Sequence, residues 1–200
     1  MSELKALHER IRACEKCKLG AGRTHAVPGE GPEKAAIMFI GEGPGFHEDK
    51  QGRPFVGAAG KFLEELLASI DLGREEVFIT NVVKCRPPAN RDPQPDEIAA
   101  CRGYLDRQIE LLQPKMVITL GRFSMARYFP NAKISKIHGQ PKKMDGVIYY
   151  PMYHPAAALH QPSLRSTVQE DMKRIPRLLT EIDRLAEEEP PEQVEQLSLF

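Results

Sequence analysis

No apolar run in this chain approaches the ~18 residues that a membrane-spanning helix needs. The N-terminal stretch, Met1 to Arg12, is charged and amphipathic and lacks the apolar centre of a secretory signal peptide. A cytoplasmic protein is expected. There is no internal repeat. There is no net charge either, since 28 basic residues meet 28 acidic ones. That balance argues against a nucleic-acid partner held by bulk charge. It hides an asymmetry, however. Seven of the acids and one of the bases lie in residues 181–200, so the first 180 residues hold 27 bases and 21 acids. A mildly basic body remains compatible with a polyanion.

Cysteine is scarce: Cys14, Cys17, Cys85 and Cys101 are the full set. A reducing compartment disfavours disulfides. One C-x-x-C pair plus two distant cysteines forms a closed set of four thiolates. Such a set suits tetrahedral zinc or an iron–sulfur cluster. A zinc ribbon would carry two C-x-x-C pairs, and here fifteen residues split the second pair. The spacing leans towards a cluster without deciding the matter. Both common nucleotide-phosphate signatures, G-x-G-x-x-G and G-x-x-x-x-G-K-[ST], are missing.

What is present is a glycine-rich loop, Gly41-Glu42-Gly43-Pro44-Gly45-Phe46-His47-Glu48-Asp49, followed by Gly52-Arg53-Pro54-Phe55-Val56-Gly57. The apolar run 35–40 before it reads as a buried strand. The pattern 57–70 after it reads as a helix with Phe62, Leu63, Leu66, Leu67 and Ile70 on one face. The loop therefore leaves the C-terminal end of a strand, where open α/β sheets hold ligands.

Further elements are expected as follows. Residues 2–13 form a helix that delivers Cys14 and Cys17 into a loop. Residues 18–34 carry no clear element. Strands follow at 77–83, 116–121 and 147–153, with helices at 95–112, near 122–129 and at 165–186, the last flexed or broken near Pro176. Asn81 is the one amide in a β-branched run. It offers an acceptor and two donors, which match the O4 and N3–H edge of uracil. It can equally serve as a structural amide at the strand end. Cys101 lies on the apolar stripe of helix 95–112 and faces the loop bearing Cys85. Residues 131–146 form a basic stretch (Lys133, Lys136, His138, Lys142, Lys143), and Lys84, Arg86 and Arg91 form another; both are candidates for phosphate contact. His154, fixed by Pro155, sits at the same sheet edge as Glu42 and Asn81.

G-E-G-P-G…E-D…G-R-P-F-V-G, N-V-V-K-C-R-P-P-x-N-R-x-P, the four cysteines and H-P-A-A together resemble the family 4 (iron–sulfur, type a) uracil-DNA glycosylases. The resemblance runs from about residue 10 to 180. It implies a three-layer α/β/α sandwich on a central four-stranded parallel sheet. It implies a [4Fe–4S] cluster on Cys14, Cys17, Cys85 and Cys101. It implies hydrolysis of the N-glycosidic bond of a deoxyuridine flipped out of single- or double-stranded DNA, leaving an abasic site. Gly41, Glu42 and Gly43 would line the base, Phe55 would stack on it, Asn81 would read its edge, and His154 would hydrogen-bond O2. Glu42, Glu48 and His154 are the catalytic candidates; Glu48 is the one expected to position the water or crowd the thymine methyl, with Asp49 second. The best-known superfamily members place an Asp two residues after the first glycine of this loop, where this chain has Gly43. A second reading is covalent trapping of uracil-DNA through His138. The trapping relatives carry Gln where Gly43 stands, which weighs against it.

The domain is expected over 1–186. Residues 187–200 read as a disordered acidic linker ending in Gln196-Leu197-Ser198-Leu199-Phe200. Its Gln196, Leu197, Leu199 and Phe200 resemble the peptide by which bacterial repair proteins dock on the sliding clamp. The protein is expected to be a monomer.

Overall fold

A computed structural model describes residues 2–188 of the protein. Helix α1 (Glu3–Arg12) starts at Ser2, whose hydroxyl accepts a hydrogen bond from the Lys5 N–H. A short helix, α2 (Leu19–Gly22), follows the first cysteine pair. Strand β1 (Ile37–Gly41) leads into α3 (Phe46–Gln51) and α4 (Ala58–Ala68). Then come β2 (Phe78–Asn81), α5 (Pro95–Leu112), β3 (Met116–Leu120), α6 (Arg122–Ala126) and α7 (Ile134–Ile137). The chain continues through β4 (Lys142–Met144), β5 (Val147–Met152), α8 (Pro155–His160) and α9 (Leu164–Glu188).

The strands form one sheet in the order β2-β1-β3-β5-β4. Alternation along β1 sorts the helices into two layers. Ile37 and Phe39 pack with Phe62, Leu63 and Leu66 of α4 and with Val168, Met172 and Ile175 of α9. Met38 and Ile40 pack with Leu4, Leu7 and Ile11 of α1 and with Tyr104 and Leu105 of α5. Both faces of β1 are fully buried, which is why its sequence is apolar throughout instead of alternating. This is the expected α/β/α sandwich.

The sheet differs from expectation in one strand. Its four parallel strands are those foreseen, and β4 is added antiparallel at the edge, against β5. The basic stretch thus holds a strand as well as loops. Asp145 and Gly146 both take positive φ between β4 and β5, the requirement of a tight hairpin turn. The lysines of β4 are exposed, as suits an edge strand. Helix α9 continues across Pro176 to Glu188 instead of breaking, two residues past the expected linker boundary. The peptide 196–200 lies outside the described residues.

Candidate active site

The parallel pairing of β1 and β2 sets Gly41 beside Asn81. It carries on beyond both strands, since the Val82 N–H donates to the Gly41 carbonyl and the Val83 N–H to that of Glu42, at 3.0 and 3.1 Å. The glycine loop is thereby zipped alongside Asn81-Val82-Val83. Two glycines are forced by clearance. A Cβ on Gly41 would stand 2.4 Å from Asn81 Oδ1 and 2.7 Å from the Phe55 ring. A Cβ on Gly43 would stand 2.7 Å from Val83 Cγ2. Any side chain at this second position would need Val83 to shift.

Asn81, Phe55, Glu48 and His154 line one cavity of about 180 Å³ together with Gly43 and Gly45. Asn81 is buried, and its Oδ1 has no hydrogen-bond partner among the described residues. A buried acceptor left unpaired is costly, so this one, on a residue that lines a cavity, is a candidate partner for a ligand's donor. Phe55 is buried with φ of +52°, a strained conformation for an aromatic residue. Arg74 holds it there, donating to the carbonyls of Phe55 (2.8 Å) and Pro54. Glu30 in turn grips Arg74 at 3.1 Å and Arg53 at 2.6 and 2.7 Å. Arg74 and Glu30 belong to no motif, and no local signal in the chain points to their pairing across 44 residues.

The rings of Phe55 and His154 stack at 5.4 Å between centroids and 24° between planes. His154 Nδ1 accepts the Ala156 N–H at 3.1 Å. In the neutral ring the proton therefore sits on Nε2. Burial pulls the His154 pKa down to about 4, with only a small opposing pull from Glu48. At neutral pH the site holds an uncharged imidazole with a fixed Nε2–H donor.

The two glutamates play different parts. Glu48 accepts N–H groups from Val56 (2.8 Å), Gly57 (2.9 Å) and Gly45 (3.1 Å). It binds the two halves of the loop together at the start of α3. Asp49 is buried and accepts from Thr24 at 2.8 Å. The Glu42 carboxylate makes no hydrogen bond or salt bridge among the described residues. It lies in an outer cavity of about 300 Å³, which His154 and Gly45 also line. Burial raises its pKa, helped by nearby Asp92 and opposed by Arg122.

Lys84 corrects an expectation. It is 1% exposed and unavailable to phosphate. Its Nζ donates to Thr80 Oγ1 (2.6 Å), Gln108 Oε1 (2.6 Å) and the Asn81 carbonyl (2.8 Å). Three acceptors offset only part of the cost of burial, which still pulls the Lys84 pKa down to about 7. The buried lysine thus steadies the backbone of Asn81. Arg91 is likewise occupied, by a two-pronged pair with the buried Glu97 at 2.6 and 2.9 Å. His138 lines neither cavity, and its Nδ1 lies 2.8 Å from the carboxylate of Asp171.

On the α1/α5 side, all four cysteines line one separate cavity with Arg23, Lys84 and Tyr104. Among the described residues, no three His, Cys, Asp or Glu side chains converge as a site for a single metal ion. All four donors around that cavity are thiols, a set that suits a thiophilic metal group. Arg23 Nη1 donates to the Cys14 carbonyl at 2.6 Å and to Cys85 Sγ at 3.2 Å. Burial pushes the Cys85 thiol up to about 11 and raises Cys101 as well. Bare thiols so placed stay protonated, whereas a multivalent metal group deprotonates the thiols it binds.

A family profile described as the Uracil DNA glycosylase superfamily matches residues 28–178. The chain is 52% identical over 188 residues to the type-4 uracil-DNA glycosylase of Sulfurisphaera tokodaii, covering 89% of this chain and 86% of that one. It is 46% identical over 188 residues to the type-4 enzyme of Archaeoglobus fulgidus, covering 89% and 94%. It is 43% identical over 176 residues to that of Thermotoga maritima, covering 86% and 92%.

Proposed function

The chain belongs to the uracil DNA glycosylase superfamily, and on that premise we propose how its pocket works. The protein is a uracil-DNA glycosylase, a DNA-repair hydrolase that removes uracil. Deoxyuridine is flipped out of the stack into the cavity beneath the glycine loop. Asn81 Oδ1, buried without a partner, accepts uracil N3–H, and its amide donates to O4. Cytosine presents an acceptor at N3 and an amino donor at C4, so both contacts turn repulsive. Phe55 packs against the ring, and the Gly41-Glu42-Gly43 backbone closes over it. The His154 Nε2–H donates to O2, where negative charge builds as the glycosidic bond breaks. The sugar becomes electron-poor, so the attacking water needs positioning more than activation. Glu42 is unpaired in the outer cavity and takes that part. Glu48 has its oxygens committed to the backbone and holds the pocket's shape. One observation carries this reading: the orphaned Asn81 acceptor in a cavity shared with Phe55 and His154. Asn81→Asp should lower kcat/KM on uracil-containing oligonucleotides by at least ~100-fold, and unchanged kinetics would refute the edge readout.

Cys14, Cys17, Cys85 and Cys101 are assigned to a [4Fe–4S] cluster, supported by the all-thiol donor set around one cavity. Bound there, the cluster would tie α1, α5 and the loop after β2 together. Covalent trapping through His138 is not favoured, since that ring is paired with Asp171 away from the pocket. The protein works as a cytoplasmic monomer on uracil-containing DNA, which sedimentation of the purified protein would check. Gln196, Leu197, Leu199 and Phe200 are assigned to sliding-clamp binding. Deleting residues 196–200 should abolish clamp pull-down while activity on short oligonucleotides persists.

A further inference from the structure

Phe46 opens α3, and its ring is 48% exposed in a protein that buries Phe39, Phe55, Phe62 and Phe78. A lone exposed apolar side chain needs no explanation. This one is not alone. The Arg86 guanidinium lies 5.1 Å from the ring centroid and the Lys50 ammonium 5.8 Å from it. The His47 ring meets it edge-on at 5.4 Å. The position is also particular. Phe46 directly follows Gly45, which lines both the inner and the outer cavity. Arg86 Nε donates to Asn90 Oδ1 at 2.7 Å, and Asn90 and Pro87 line the outer cavity too. An aromatic face flanked by cations therefore stands on the rim of the pocket.

We propose that Phe46, with Arg86 and Lys50, is a stacking platform for the nucleobase next to the flipped deoxyuridine on the same strand. The inference rests on the uracil reading above. Flipping one nucleotide strips its neighbour of a stacking partner, and an aromatic face replaces what is lost. The strand at that point carries a phosphate between the flipped and stacked nucleotides. Arg86 and Lys50 supply the opposite charge beside the ring. Stacking of a base on an aromatic side chain tolerates any base. The platform thus adds grip without restricting the sequence around the lesion.

The test compares two single-stranded oligonucleotides, each with one deoxyuridine. In one the flanking nucleotides are ordinary; in the other both are abasic spacers. The wild-type protein should show a KM roughly 5- to 100-fold higher on the spacer substrate, the range for one aromatic–base stack. Phe46→Leu should show the higher KM on both, so that the two proteins converge on the spacer substrate. Phe46→Trp should restore the difference. A Phe46→Leu protein that distinguishes the substrates as well as wild type does would overturn the platform while leaving the uracil pocket standing. Failure of the wild-type protein to release uracil from either substrate would overturn the uracil reading itself, and this proposal with it.

Discussion

Strand β2 feeds two sites that are built in opposite ways. Its last residue, Asn81, lines the proposed uracil pocket; four residues on, Cys85 lines the thiol cavity. The pocket is fixed by polar contacts already in place. Glu48 binds three N–H groups, Arg74 binds two carbonyls behind Phe55, and the Ala156 N–H sets the His154 tautomer. It holds its shape before substrate arrives, as electrostatic preorganisation requires. The thiol cavity gathers segments from α1, the β2 loop and α5, and Arg23 holds the thiol of Cys85. Two of the four are pushed away from the thiolate by burial. On the reading proposed above, the first site is complete before its occupant arrives and the second is completed by it. Changes on the pocket side should therefore strike chemistry, and changes on the thiol side should strike stability.

The largest effect expected from that contrast is on the thiol side. Cys85→Ser should abolish the cluster, seen as loss of iron and sulfide from the purified protein. It should also lower Tm by more than ~10 °C, because metal-binding energy is folding energy in such sites. Asn81→Asp should leave Tm within a few degrees of wild type. A Cys85→Ser protein with full Tm and no iron would erase the distinction.

Next comes a split within the pocket. Glu42→Gln should lower kcat by ~100-fold or more, the scale of a misplaced nucleophile, with little change in Tm. Glu48→Gln keeps one acceptor oxygen but gives up the charge that three N–H groups share. It should lower Tm, by an amount matching ~1–3 kcal/mol, with a smaller loss of kcat. The reverse pattern would move the water to Glu48.

The smallest effect is a matter of pH. Burial holds both His154 and His8 near pKa 4, against an ordinary value of 6.5. Between those values the unfolded chain binds more protons than the folded one, so stability rises with pH. The contribution is complete above pH 6.5 and is lost as pH falls towards 4. Glu42 and Asp171 shift upward and oppose the trend, which makes the decline shallower. A Tm that falls by a few degrees from pH 7 to pH 4.5, and less in a His8→Gln protein, would support the assignment. A flat profile would contradict it.

The sequence disclosed the sheet and the pocket because both are written locally. Apolar runs end in Gly41, Asn81 and His154, and parallel strands must present those ends at one edge. Strand β4 was harder to read because three residues, two of them exposed lysines, carry no apolar pattern; the Asp145-Gly146 turn was its only signal. Lys84 misled because charge beside a proline loop suggests solvent. Its acceptors, Thr80, Gln108 and the Asn81 carbonyl, gather around it only after α5 has docked. The Glu30–Arg74 brace escaped for the same reason: it joins residues distant in the chain, neither in a motif. The division of labour between Glu42 and Glu48 was equally hidden, since it depends on which carboxylate meets backbone N–H groups.

The central claim is that Asn81 Oδ1 waits for a donor that uracil supplies. A crystal structure of the protein with uracil bound tests it most directly. The account predicts N3 about 2.9 Å from Asn81 Oδ1, the ring against Phe55 and O2 at His154 Nε2. Uracil seated elsewhere, or in the pocket with Asn81 Oδ1 still lacking a partner, would contradict it.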